Sequence, residues 1–218
     1  MKPDAQQLKV LQDYLHETLT YREAYEEIYD HILTALEHQA DTISYQDAIN
    51  NIIANDFGSP KNLLKVEKGI KDGLVDDAVR KYMSYFTAYF KFPALLYTLP
   101  CTLLTYYFLT QAKFSPLVIN SLFAAIIVTP GIIYLMRLYN TGYMLDTTRK
   151  SAKDKLFETL AGIPVRVFVI LMVLGVMHVY KIWDTAEYYS VTVLLLLGVL
   201  YNVSLYKCYK DEFKIVKS

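Results

Sequence analysis

Four long runs of apolar residues in the second half of the sequence restrict its fold more than any other feature. They cover about residues 92–110, 116–136, 162–180 and 188–206. Each run is close to the ~20 residues that an α-helix needs to cross ~30 Å of hydrocarbon. The first, second and fourth contain no charged residue. The sequence therefore predicts a membrane region of four transmembrane helices.

Charged side chains divide the sequence into two dissimilar parts. Residues 1–80 carry 15 acidic and 8 basic side chains, whereas residues 81–218 carry 7 acidic and 14 basic ones. The zero net charge of the whole chain is therefore the sum of −7 and +7. Such an asymmetry indicates two regions in different environments. We predict a cytoplasmic acidic domain at 1–80 and a membrane domain at 81–218.

The distribution of lysine and arginine predicts how the four runs are oriented. Basic residues precede the first run, crowd the connection between the second and third, and follow the fourth, but they are sparse in the other two connections. The positive-inside rule then places both termini and the second connection in the cytoplasm. The N-terminal sequence MKPDAQQLKV lacks the apolar core of a secretory signal. We expect a multi-pass protein of the cell's inner membrane.

The first 80 residues show the pattern of a small helical bundle, so the expected fold class is all-α throughout. Asp4 can cap a first helix that ends near Thr18, and Ser44 can cap a third. Gly58 suits the left-handed position after that helix, and Ser59-Pro60 can start a fourth. A bundle of this size is marginally stable. Support from the membrane half or from a second copy, as a homo-oligomer, would help.

The second helix, predicted at about 21–39, offers a candidate partner-binding face. Apolar residues recur along it at spacings of three and four, and acidic residues fill the other side. The candidate residues are Glu23, Glu26, Glu27, Asp30 and Glu37. Glu27, His31 and His38 share a face and suggest a weak metal site as a minor alternative to surface packing.

Basic residues of the membrane half are candidates for lipid or ligand contact. Arg149, Lys150 and Lys153 lie in the segment 146–160, which is interpreted as a short helix on the inner leaflet held by anionic lipid. The same charges also serve as the positive-inside signal. Arg166 lies inside the third run, where it either snorkels to the interface or contacts a lipid headgroup or ligand.

Several kinds of chemistry find no support in the sequence. It has no phosphate-binding glycine loop, zinc-protease helix or nucleophile elbow, and no apolar run carries the paired ionisable residues of an ion pathway. Pro100, Pro130, Asn120 and Asn202 lie within the runs, where kinks and hydrogen bonds between helices explain them. We expect no enzyme activity, no cofactor and no bound metal.

Residues 21–67 resemble the HAAS-type domain, the small α-helical signalling domain associated with helix-turn-helix regulators. The similar features are YREAYEEIYDHILTALE, the helix start in SYQDAINNIIANDFGS and the Phe-Gly-Ser-Pro break before a last helix. Thr18-Leu19-Thr20 replaces the Leu-Pro element often found between the first two helices. The resemblance implies a bacterial membrane protein that works with a PadR-like transcription regulator. It implies no catalytic residue.

Two hypotheses of function follow from these features. The first is a non-enzymatic signalling or regulatory membrane protein whose acidic domain binds a cytoplasmic regulatory protein. Its spans contact membrane lipids and sense the membrane or a drug-like lipophile. The alternative is a small transporter or transporter subunit, suggested by four spans with helix-breaking residues in the first two. Direct nucleic-acid binding is not expected, because it normally depends on basic side chains.

Overall fold

A computed structural model describes residues 3–39, 43–112, 115–141, 150–176 and 188–214. In these ranges the chain forms α-helices and one isolated parallel β-bridge, between Tyr21 and Lys150, with no β-strand. The predicted all-α fold class is confirmed. The helices are α1 (Ala5–Thr18), α2 (Arg22–Glu37), α3 (Tyr45–Asp56), α4 (Pro60–Ala88), α5 (Leu95–Gln111), α6 (Pro116–Thr141), α7 (Ala152–Val176) and α8 (Tyr188–Lys214).

The described residues belong to two compact units. The N-terminal unit consists of residues up to 77 together with 150–155, and the C-terminal unit consists of the described residues from 78 to 141 and from 156 onward. The boundaries therefore fall inside α4 and inside α7. The first residues of α7 group with the N-terminal unit, although the sequence pattern had assigned them to the membrane domain.

Local side chains fix the ends of the first helices as predicted. The Asp4 carboxylate accepts a hydrogen bond from Gln7 N at 2.7 Å, and the Gln7 side chain returns one to Asp4 N at 2.9 Å. Ser44 caps α3 by accepting from Asp47 N at 3.2 Å. Gly58 has φ +78°, the left-handed conformation expected after α3. α4 then begins at Pro60, where proline is well tolerated.

Aliphatic side chains from α1 to α4 form the core of the N-terminal unit. α2 contributes one stripe at spacings of three and four, and α1, α3 and α4 pack around it. The buried core residues are Leu11, Leu15, Leu19, Tyr25, Ile28, Ile32, Leu36, Ala48, Ile49, Ile52, Ile53 and Leu63. Burying each large apolar side chain stabilises the fold by about 1.5–3 kcal/mol. The stripe on α2 fixes which side of that helix faces solvent.

α8 is the central helix of the C-terminal unit and packs against both α5 and α6. Leu109 of α5 and Val191 and Leu195 of α8 are buried together, with partly buried residues of α6 around them. Most other large apolar side chains of α5 and α6 face outward. Examples are Leu103, which is 61% exposed, and Leu117, which is 74% exposed.

Two of the described helices are long and apolar enough to cross a membrane, as judged by length and composition. They cover Leu117–Thr141 and Tyr188–Asp211, with mean hydropathies of 2.0 and 1.7. In the first, only 11% of the apolar window is buried in the protein. α5, with 17 residues, is about 26 Å long, at the lower end for a span. The third predicted span, 162–180, extends past the described residues, so spans one and three stay predictions.

The predicted short helix at 146–160 is wrong over residues 150–160, and its residues 146–149 lie outside the described residues. α7 begins at Ala152 and continues without interruption to Val176, with Pro164 inside it. Ser151 accepts a hydrogen bond from Lys153 N at 3.2 Å and so starts the helix. The basic and apolar residues that had suggested a separate helix form the first turns of this longer one.

Candidate functional site

The outward side of α2 carries carboxylates as the sequence predicts. Four of the five predicted residues are exposed, and we call them the acidic face: Glu26, Glu27, Asp30 and Glu37. Asp30 follows Glu26 by four residues and Glu27 by three, and Glu37 follows Asp30 by seven, spacings that place side chains on one side of a helix. Glu26 forms an exposed ion pair with Arg22, with Nε–Oε1 at 2.8 Å. Glu27, Asp30 and Glu37 have no partner among the described residues.

Glu23, the fifth predicted residue, is half-buried and already bonded within the N-terminal unit. One carboxylate oxygen accepts from the Ser151 hydroxyl, and the other accepts from Ala152 N at 3.0 Å. Beside it, Arg22 N donates to Lys150 O at 3.0 Å. We call these contacts between the first turn of α2 and residues 150–152 the clamp. A carboxylate at the N-terminus of α7 is also favoured by the helix dipole.

A second carboxylate holds the other side of the same region. Glu67 of α4 is only 6% exposed, and its Oε1 accepts from Thr20 N at 2.6 Å and from Tyr21 N at 2.7 Å. These two amides precede α2 and lack helical partners of their own. Sequence reasoning missed Glu67, although its position four residues after the core residue Leu63 marks it as an inward-facing charge.

His31 connects α2 to the end of α3. Its Nε2 lies 2.9 Å from Asp56 Oδ2, and its ring meets the Phe57 ring edge-on with centroids 5.2 Å apart. His38, which the weak metal hypothesis had grouped with it, stands at the C-terminal cap of α2. No group of three or more potential metal-binding side chains occurs among the described residues.

The predicted lipid-contact residues lie in different places. Lys150 is exposed and Lys153 half-buried, both beside the clamp, while Arg149 lies outside the described residues. Arg166 is exposed on α7, and its guanidinium runs back along the helix, 3.7–3.9 Å from where a Cβ on Gly162 would be. Long helical side chains normally point toward the N-terminus. For Arg166 that direction leads toward the predicted cytoplasmic end.

Arg137 is a buried cation that sequence reasoning placed in a connecting loop. It lies in α6, is 2% exposed, and its guanidinium stacks on the Phe157 ring with Cζ 4.9 Å from the centroid. Such stacking suits the planar, weakly hydrated guanidinium. Its position in the last turns of α6 also favours a positive charge. The only available sequence signal was its place immediately after an apolar run.

Tyrosines where α4 and α8 meet are engaged in specific contacts. Tyr85 donates a hydrogen bond to the Asp211 carboxylate, which raises the pKa of Tyr85 to about 12. Tyr82 is buried with its ring edge-on to Tyr201 at 5.5 Å, and this burial raises the pKa of Tyr82. Lys207 lies over the Tyr89 ring at 4.8 Å.

α6 and α8 approach each other closely at two positions. Asn202 Nδ2 donates to Ile126 O at 3.1 Å, the kind of hydrogen bond between helices predicted for Asn202. One turn earlier, a Cβ added to Gly198 would stand 2.6 Å from Cγ2 of the same isoleucine. Only glycine fits that contact without displacing its neighbour.

Comparison with known proteins adds no relative to these observations. No family model matches the chain, and neither a curated protein nor a solved structure is detectably similar to it. The physical features of the chain therefore carry the functional argument.

Proposed function

We propose that this protein is a non-enzymatic signalling or regulatory protein of the bacterial inner membrane. Its N-terminal helical domain lies in the cytoplasm and binds a regulatory protein through the acidic face of α2. Four transmembrane helices, with both termini cytoplasmic, hold it in the bilayer. The observation that carries this proposal is that four carboxylates of α2, the acidic face, are exposed to solvent on the side opposite its core stripe.

The apolar surface of the C-terminal unit supports the membrane part of the proposal. Helices in the core of a soluble protein are mostly buried, whereas 11% of the most apolar window of α6 and 39% of that of α8 are buried inside the protein. An exposed apolar surface of this extent requires lipid or a partner. Arg137 and Arg166, at the ends predicted to be cytoplasmic, suit the positive-inside rule.

Charge supports the partner-binding part. Three carboxylates of the acidic face have no partner among the described residues, and residues 1–80 carry a net −7. A surface of this sign attracts a basic protein and repels nucleic acid. The resemblance of residues 21–67 to the HAAS-type domain suggests a PadR-like regulator as that partner.

Co-purification tests the partner. The full chain, with and without neutralisation of the acidic face (Glu26→Gln, Glu27→Gln, Asp30→Asn, Glu37→Gln), is expressed in bacterial cells and purified in mild detergent. We expect the unaltered chain to retain a helix-turn-helix regulator of the PadR-like class and the neutralised chain to lose it. The matched control neutralises four exposed carboxylates on other helices, Asp13, Glu17, Asp72 and Asp76.

The outcome separates a specific face from a general charge effect. If the control variant loses the regulator to the same extent, the regulator responds to the net charge of the domain and not to the acidic face of α2. Recovery of no regulator by the unaltered chain would remove the partner from the proposal.

A further inference from the structure

We propose that the clamp is an autoinhibitory contact, in which residues 150–152 occupy one end of the outward side of α2 and compete with a cationic partner for that helix. The proposal rests on the proposed function, because it takes the acidic face as the partner's binding surface. It adds a regulation that the exposed carboxylates alone do not imply.

The position of Glu23 is the basis for competition. Glu26 and Glu27 follow it by three and four residues, so the three carboxylates are neighbours on one side of α2. Glu23 uses one oxygen for the Ser151 hydroxyl and the other for Ala152 N. Because Glu23 is half-buried and both of its oxygens already accept a hydrogen bond, it is less available to a cationic group than the exposed Glu26 and Glu27 are.

The clamp consists of three hydrogen bonds, and two of its residues are shielded from water. Ser151 is 6% exposed and Ala152 is 1% exposed. Hydrogen bonds to a charged carboxylate are stronger than neutral ones, and Arg22 N adds a backbone bond to Lys150 O. The closed arrangement is therefore favoured while no partner is present.

Linked equilibria give the direction of the effect. When the binding-competent state is only partly populated, the apparent affinity falls in proportion to that fraction. Weakening the clamp should therefore strengthen partner binding. By reciprocity, partner binding should open the clamp and release the first turn of α7.

The test uses the full chain in nanodiscs of phosphatidylcholine, a zwitterionic lipid with no net charge. The probe is fluorescein-labelled octalysine. Ser151→Ala removes one donor of the clamp together with the cap of α7, and it leaves the acidic face intact. We expect faster hydrogen exchange of the Arg22 amide and octalysine binding that is tighter by up to about tenfold. Ser84→Ala is the control, because Ser84 is exposed and bonds only to its own helix.

Two further variants keep the test decisive if Ser151→Ala folds poorly. Ala152→Pro removes the backbone donor to Glu23 at the first helical position, where proline is accepted, and should act like Ser151→Ala. Glu27→Gln should weaken octalysine binding and leave exchange at Arg22 unchanged.

Each result bears on one of the two proposals. The clamp variants could speed exchange at Arg22 without tightening octalysine binding, while Glu27→Gln weakens octalysine binding. That result would refute the competition and leave the acidic face as the binding surface. If exchange at Arg22 does not change in either clamp variant, the clamp is no regulatory contact. If octalysine binds the unaltered chain and Glu27→Gln equally, the acidic face fails as the binding surface, and the autoinhibition fails with it.

Discussion

Replacing Gly198 by alanine should weaken the contact between α6 and α8. The added Cβ would stand 2.6 Å from Cγ2 and 3.1 Å from Cδ1 of Ile126. Carbon atoms in favourable contact are about 3.5–4.0 Å apart, so Ile126 must change rotamer or the helices must separate. Either adjustment also disturbs the hydrogen bond from Asn202 to the Ile126 carbonyl.

The size of the effect follows from three opposing contributions. Overpacking a close contact costs about 1–3 kcal/mol, and the strained hydrogen bond adds about 0.6 kcal/mol. The better helix propensity of alanine offsets about 1 kcal/mol. We expect the free energy of unfolding to fall by about 0.6–2.6 kcal/mol.

Gly131→Ala is the matched control, because it lies in α6 and nothing stands within 4 Å of its added Cβ. Both variants are purified in detergent and unfolded with increasing mole fractions of sodium dodecyl sulfate, with helicity followed by circular dichroism. The Gly198→Ala midpoint should lie below that of the parent, whereas the Gly131→Ala midpoint should stay level or rise.

A second substitution isolates the clash itself. Ile126→Ala removes both close carbons and leaves a Cβ–Cβ distance of 3.6 Å to the alanine at 198. In that background Gly198→Ala should cost almost nothing. The close packing of α6 on α8 would be incorrect if Gly198→Ala were as stable as Gly131→Ala. It would also be incorrect if Gly198→Ala lowered the free energy of unfolding equally in the parent and in the Ile126→Ala background.

Three further changes test other contacts. Glu67→Ala removes the acceptor of two backbone amides before α2 and should lower the free energy of unfolding by about 1–3 kcal/mol. The control is Glu17→Ala, at an exposed glutamate of α1. Gly58→Ala forces a residue in the left-handed conformation to carry a Cβ and should lower the free energy of unfolding by about 1–2 kcal/mol. Gly73 lies in open space inside α4, so Gly73→Ala should raise the free energy of unfolding by up to about 1 kcal/mol in the same denaturation assay. The hydrogen bond to Asp211 raises the pKa of Tyr85 from 10.0 to about 12. The stability that this hydrogen bond contributes is therefore complete below pH 10 and is lost as the pH rises toward 12. Tyr85→Phe should remove this loss of stability at alkaline pH, and it should remove one late-titrating phenol from the absorbance at 295 nm.

Local signals in the sequence were sufficient for the N-terminal helices. Asp4, Ser44 and Gly58 act through neighbours three or four residues away, so their roles can be predicted without knowing the fold. The apolar stripe of α2 likewise identified both its core side and its carboxylate side.

Contacts between distant residues were beyond that reasoning. In the sequence Glu23 resembles any other exposed glutamate of α2. Its partners Ser151 and Ala152 lie 128 and 129 positions further along the chain, and only the fold brings them beside it. Arg137 looked like a loop charge because nothing near it in sequence indicates the ring of Phe157. The first turns of α7 were mistaken for a separate helix because their amphipathic pattern ends where the membrane pattern begins.

The clamp has a consequence for the order in which the chain matures during translation. Residues 150–152 leave the ribosome long after α2, since 128 positions separate Glu23 from Ser151. At about 5–20 residues per second, that interval is roughly 6–25 s. During this time Glu23 of the newborn N-terminal domain has no contact with Ser151 and stands free beside the acidic face. The proposed competition therefore predicts that a nascent chain binds a basic partner most readily before residues 150–152 emerge.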